Sequence, residues 1–205
     1  MSWRTRVAGL SIIAIAVLIA VPESVYAGDR DHTGGFFLRL SAGVGAASTK
    51  IEEDGDDLKL SGEAGDINIA IGGMVSQNLA VHGTLFGWAV TDPDAELNDM
   101  EGTLDGDLSL GAVGVGITYY LMPANVYFSP SVGFGSLSFD ADDFQEVESD
   151  MGVVVDMTIG KEWWVGRNWG LGVAGAVGFH SIPDKDIDSN WKGANFAVRF
   201  TATMN

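Results

Sequence analysis

Cysteine is absent from all 205 residues, so no disulfide braces the chain and no lipid anchor can be attached through a cysteine. Basic residues are scarce, 11 Lys and Arg against 28 Asp and Glu, for a net charge of −17. A pI near 4.2 repels phosphate, which excludes nucleic acid as a partner. Long apolar runs are missing too. The longest, Val7 to Val21, has 15 residues, short of the about 20 that a membrane-spanning helix needs. It follows Arg4 and Arg6, ends at Pro22, and is followed by Val25-Tyr26-Ala27, with small residues at −3 and −1 of a cleavage point. That layout is a secretory leader over 1–27 and leaves a single domain, 28–205.

What remains is period-two alternation, the signature of strands. One face of Phe36 to Ala46 carries Phe36, Leu38, Leu40, Ala42, Val44 and Ala46, and the other carries Phe37, Arg39, Ser41 and two glycines. Leu171, Val173, Val177 and Phe179 alternate with glycine and alanine, and Phe196 to Met204 alternates with Asn195, Arg199 and threonines. Eight strands are predicted: 36–47, 66–74, 79–90, 108–122, 126–139, 151–165, 169–179 and 193–204. The apolar phase slips near Gly111-Ala112 and Gly135-Ser136, as a bulge would make it do. Phe86, Trp88 and Val90 fit either face.

The connections alternate strictly between short and long. Three short ones end in Asn78, Asn125 and Asn168, suited to hairpin turns that need positive φ. The long ones, 48–65, 91–107, 140–150 and 180–192, hold 22 Asp and Glu against four Lys, a net of −18. The other residues of 28–205 are neutral overall. Short turns at one end and long loops at the other describe an eight-stranded antiparallel up-and-down transmembrane β-barrel, all-β, with a neutral wall and one anionic rim. Aromatic residues bracket the short turns: Tyr119, Tyr127 and Phe128 at the second, Trp163, Trp164 and Trp169 at the third. Such residues suit a girdle at headgroup level, with Lys161 snorkelling to the interface beside them. A soluble lipocalin-like barrel is the rival, but it would turn its bulky residues inward around a ligand.

On this pattern the chain resembles the small eight-stranded outer-membrane barrels, the OmpA transmembrane domain and OmpX-like proteins. The resemblance implies residence in the outer membrane of a Gram-negative bacterium, insertion by the barrel-assembly machinery, and contact with membrane lipid and lipopolysaccharide. It also implies a monomer that anchors surface loops for an unidentified surface partner.

Charges placed in a lumen one or two side chains wide should be paired. Glu162 is therefore expected to meet Arg39, Arg199 or both, with Asp156 higher and His82 nearby. Asp92, Asp94 and Glu96, and Asp184, Asp186 and Asp188, set carboxylates at alternate positions that could converge on one hard cation. The pattern of a calcium-binding EF-hand loop is not met, since Ser189 and Asn195 occupy its glycine and glutamate positions. No cofactor is expected beyond loosely bound Ca²⁺ or Mg²⁺. A structural or surface-interaction protein is the first reading, and a narrow conduit for small or hydrophobic solutes the second. A lipid A-modifying enzyme is disfavoured. The His-x-Ser strand pattern of such deacylases is approached only by His82-Gly83-Thr84 and His180-Ser181.

Overall fold

The computed structural model describes residues 31–205 apart from 33–34, 54, 99 and 141–146; the expected leader lies outside the described residues. Eleven strands form one antiparallel sheet: β1 (Gly35–Glu53), β2 (Asp56–Ser76), β3 (Leu79–Thr91), β4 (Asp94–Leu97), β5 (Met100–Thr103), β6 (Asp107–Leu121), β7 (Val126–Asp140), β8 (Val147–Glu148), β9 (Gly152–Trp164), β10 (Trp169–Pro183) and β11 (Asn190–Met204). Eight of them, all but β4, β5 and β8, form a ring. It closes where β1 pairs with β11, from Leu38 opposite Met204 to Lys50 opposite Lys192. Closure removes the free edges that an open sheet would expose.

The strands are those expected, but their outer ends run further. The expected loop 48–65 is mostly strand: β1 and β2 stay paired as far as Glu53 opposite Asp56. The alternation simply continues, with Ile51 and Leu60 buried. The region 91–107 folds into the β4–β5 hairpin, which adds to β2 through Leu58 to Ser61. Of the three turn asparagines, Asn78 and Asn125 have positive φ, 63° and 50°. Asn168 does not, and its carbonyl instead accepts from the Asn205 backbone N–H at 3.1 Å.

In the lower half of the barrel the outward face is apolar. On β6 this face runs Val113, Val115, Ile117, Tyr119, Leu121, nine residues of strand, within the about 9–11 that a tilted strand needs to cross a bilayer. Val44 and Phe200 remain 69% exposed on the same belt. No helix of the described residues is long and apolar enough to cross a membrane.

Above the belt the polarity inverts. Outward positions become Gly65, Gly87, Ala89, Ser109, Gly111, Ser136 and Ser138, which lie side by side across β2, β3, β6 and β7. Inward positions become bulky: Phe86, Trp88, Val90, Leu108, Leu110, Leu137, Val154 and Ile182 form one buried cluster. This corrects the expectation of bulges, because the pairing of β6 with β3 and β7 passes through Gly111 and Ser136 without a shift. The apparent slip in phase is the strand leaving its apolar surroundings. Where water takes over outside, only the interior can bury large side chains.

Candidate functional site

The lumen is filled in tiers from the turn end upward. At its floor lies His32, just ahead of β1, which is buried and stacks on Tyr120 with ring centroids 3.6 Å apart. Its Nε2 meets Asn125 Oδ1 at 2.8 Å, its Nδ1 meets the Asn205 amide at 2.5 Å, and its backbone N–H donates to Asn78 Oδ1 at 2.9 Å. Two turns and the residue after β11 are thereby stitched to one histidine, the first turn through its backbone and the other two partners through its ring. Burial holds the His32 imidazole below its ordinary pKa of 6.5, although hydrogen bonds to Asn125 and Asn205 work the other way. In the sequence Asn78 and Asn125 read only as turn formers, and Asn205 carries no expectation.

The next tier belongs to Arg39. It donates to Ser129 Oγ at 2.6 Å and Thr118 Oγ1 at 3.3 Å across the barrel, with its guanidinium carbon 4.5 Å from the centre of the Tyr127 ring. His82 joins through Thr118 at 3.1 Å. Glu162 is almost wholly buried and accepts from Thr203 Oγ1 at 2.6 Å. No salt bridge connects it to either arginine, which overturns the expected pairing.

Arg199 instead takes Asp66 and Asp156. Its Nε and Nη2 hold both oxygens of Asp66, and its Nη1 and Nη2 hold both of Asp156, at 3.0 and 2.7 Å. Thr158 accepts a further bond at 2.8 Å. The register explains the choice. Arg199 lies opposite Gly43, and Gly43 lies opposite Asp66, so the side chain reaches its partner over a residue that has none. Reckoning heights along upright strands ignored the tilt and stagger that closure imposes. Asp66 opens the predicted strand 66–74 but is not in the predicted charge cluster, because its height in the lumen depends on the same stagger.

The aromatic doublets split between the two faces, as consecutive strand residues must. Tyr119 faces Phe128 on the outside, whereas Tyr120 faces Tyr127 in the lumen. Tyr127 and Trp164 are buried and leave the expected girdle. Tyr119, Phe128, Trp163 and Trp169 remain on the outward face, and the Lys161 ammonium lies 5.8 Å from the Trp163 ring. The two histidine motifs do not assemble a nucleophile. His180 faces inward onto Thr49 Oγ1 at 2.9 Å, while Ser181 points the other way and bonds Asn190. Thr84 Oγ1 has no partner.

At the outer rim the two acidic triads do not converge. Asp94 and Glu96 occupy alternate positions on β4, both exposed. Glu96 pairs with Lys59 at 3.3 Å, and Asp92 sits in a turn at φ 49°, accepting from the Gly106 N–H. Asp184 accepts from the Asp186 N–H at 2.9 Å and from the Trp191 indole at 2.8 Å. Burial opposes its ionisation, but these donors win and hold it below the usual carboxylate range. Among the described residues no three His, Asp or Glu side chains are grouped to hold a metal.

No protein-family model matches the chain, and neither does any curated protein. Solved structures do. Neisserial surface protein A superposes with a TM-score of 0.55 at 12% identity, over 84% of this chain and 99% of that one. By fold, this is an eight-stranded antiparallel β-barrel of the architecture of that surface protein. Also similar are OprG of Pseudomonas aeruginosa (TM-score 0.47, 12% identity, 85% and 98% of the two chains) and Ail of Yersinia pestis (0.41, 15%, 80% and 98%). At such identities the likeness speaks for architecture, and this barrel's chemistry rests on its own residues.

Proposed function

We propose that this outer-membrane barrel is a surface-interaction protein, exported through a cleaved leader, whose acidic outer end engages basic partners and holds Ca²⁺ or Mg²⁺ loosely. The segregation of charge carries this reading: a net of −18 on the four connections at one end against a neutral remainder. Three of the four lysines there are already committed, Lys50 to Glu52, Lys59 to Glu96 and Lys185 to Glu148. The surplus of carboxylates therefore faces outward uncompensated, a field that attracts cations without needing an ordered site. The filled lumen favours a binding role over a conduit. Between the Arg199 tier and the upper core the cavity measures only about 10 Å³, the lower limit for a single water. Nothing in the geometry of His82 or His180 favours catalysis. The protein acts as a monomer in contact with lipid and lipopolysaccharide, and barrel-assembly machinery inserts it.

The test is binding of polylysine and of Ca²⁺ to the barrel in lipid nanodiscs, compared with a variant whose carboxylates at 92–107 are changed to amides. Binding that weakens steeply with NaCl and falls in the variant is the expected result. Salt-independent binding, or equal binding by both proteins, would refute the reading. Discrete conductance steps in planar bilayers would favour the conduit instead.

A further inference from the structure

The inversion of polarity above the belt leaves one consequence at the outer mouth. The upper core is not sealed. Over Leu60, Leu108 and Leu137 lies a cavity of about 230 Å³, walled by Leu104, Phe139 and Trp191. Leucines 60, 108 and 137 are each 5% exposed or less, so the floor is the packed core itself, whereas Leu104 stands 37% exposed at the entrance. An apolar pocket open to water and lined this way is a binding-site geometry, although small for one.

Its rim differs in chemistry from its walls. Asp184, Asp186, Glu148 and Lys185 border it. Lys185 is tied to Glu148 at 3.3 Å, which leaves the two aspartates as uncompensated charge. Asp184 is also the group that positions the wall, because its Oδ2 receives the Trp191 indole N–H at 2.8 Å. That bond fixes the indole ring at the mouth, and an oriented tryptophan face attracts a cation. Burying an anion here would set it against two carboxylates in an already negative field, and a neutral ligand would leave the rim unused.

We infer that the outer mouth is a binding site for a small hydrophobic cation, an aromatic or branched apolar body bearing an ammonium group. The body occupies the leucine-floored cavity. The ammonium lies at the rim against Asp184 and Asp186 and over the Trp191 ring. The inference rests on the surface-interaction reading and deepens it by naming a ligand class, but it concerns one defined pocket rather than the diffuse rim.

The experiment uses the full barrel in nanodiscs with ¹³C-methyl leucine, titrated with phenyltrimethylammonium. The uncharged tert-butylbenzene and the anionic 4-tert-butylbenzoate serve as matched probes. Saturable shifts at Leu104, Leu108 and Leu137 and at the Trp191 indole are expected with the cation, which should bind about fivefold or more tightly than the anion at low salt. Leu104→Trp, which fills the entrance from an exposed position, should abolish the shifts. Asp186→Asn, at the surface, should weaken the cation and leave tert-butylbenzene unchanged. Non-saturating shifts, shifts that persist in Leu104→Trp, or equal affinity for cation and anion would overturn the proposal. Polylysine adsorption to the loops is measured separately, so failure here is distinguishable from failure of the broader reading.

Discussion

Replacing Arg199 with methionine tests whether the lumen is dry. The guanidinium is 1% exposed and makes five hydrogen bonds, two to each of two carboxylates and one to Thr158. Hydrogen bonds to charged groups are worth about 1.5–3 kcal/mol each, so the gross loss is on the order of 10 kcal/mol. Most of that offsets the desolvation of three charges, and breaking a buried ion pair typically costs about 3–5 kcal/mol net. The net figure is the expected loss for Arg199→Met, read from urea unfolding of the barrel in phospholipid vesicles by tryptophan fluorescence and by gel mobility of unheated samples. The sharper reading comes from a cycle with Asp66→Asn. In the native background this change removes a partner and should destabilise. In Arg199→Met it removes an uncompensated buried anion and should stabilise, so its effect reverses sign. A loss below about 1 kcal/mol for Arg199→Met, or the same cost for Asp66→Asn in both backgrounds, would mean that water solvates these charges and would refute the argument.

His32 gives a pH signature. Its pKa is lowered in the fold from 6.5, chiefly by burial, so the unfolded chain binds the extra proton first. The stability it contributes is full above pH 6.5 and is lost as pH falls from there toward the folded value; His32→Gln should flatten that slope in pH-dependent unfolding. Val155→Arg, on the outward face of β9, should cost about 2–4 kcal/mol in vesicles if that face meets lipid, and no change in stability would put the face elsewhere. Trp88→Ala, in the upper core, should cost about 3–5 kcal/mol even though it lies above the belt; a cost under 1 kcal/mol would mean that the upper end is not packed.

Alternation made most of the barrel legible in the sequence, because a period of two is imposed by the strand itself and survives whatever surrounds it. Val113, Val115, Ile117 and Tyr119, or Phe196, Val198 and Phe200, could be assigned to the outside without a structure. Which face is apolar is not a property of the strand, however. It depends on the medium outside, so Phe86, Trp88 and Leu110 could not be placed until the upper limit of the belt was known. The aromatic doublets failed for a related reason: counting Trp163 and Trp164 together at a turn overlooked that neighbours point oppositely. The lumen pairs depended on stagger between strands far apart in sequence. Gly43 as the gap between Arg199 and Asp66 is visible only once β1 lies between β11 and β2. Nothing in the order of residues indicates that Asn78, Asn125 and Asn205 converge on His32.

The change from apolar to small polar side chains along single strands also fixes the vertical position of the protein. Sliding outward by two residues would bring Leu85, Val113 and Phe134 into water, and sliding inward would carry Ser109, Ser136 and Ser138 into hydrocarbon. Either displacement is penalised. The row formed by Gly87, Gly111 and Ser136 is in effect a waterline. On the opposite side of the barrel the outward face carries Phe179 and Phe196, both exposed. A wall marked in this way resists vertical drift, so the acidic outer end is held at one height above the hydrocarbon.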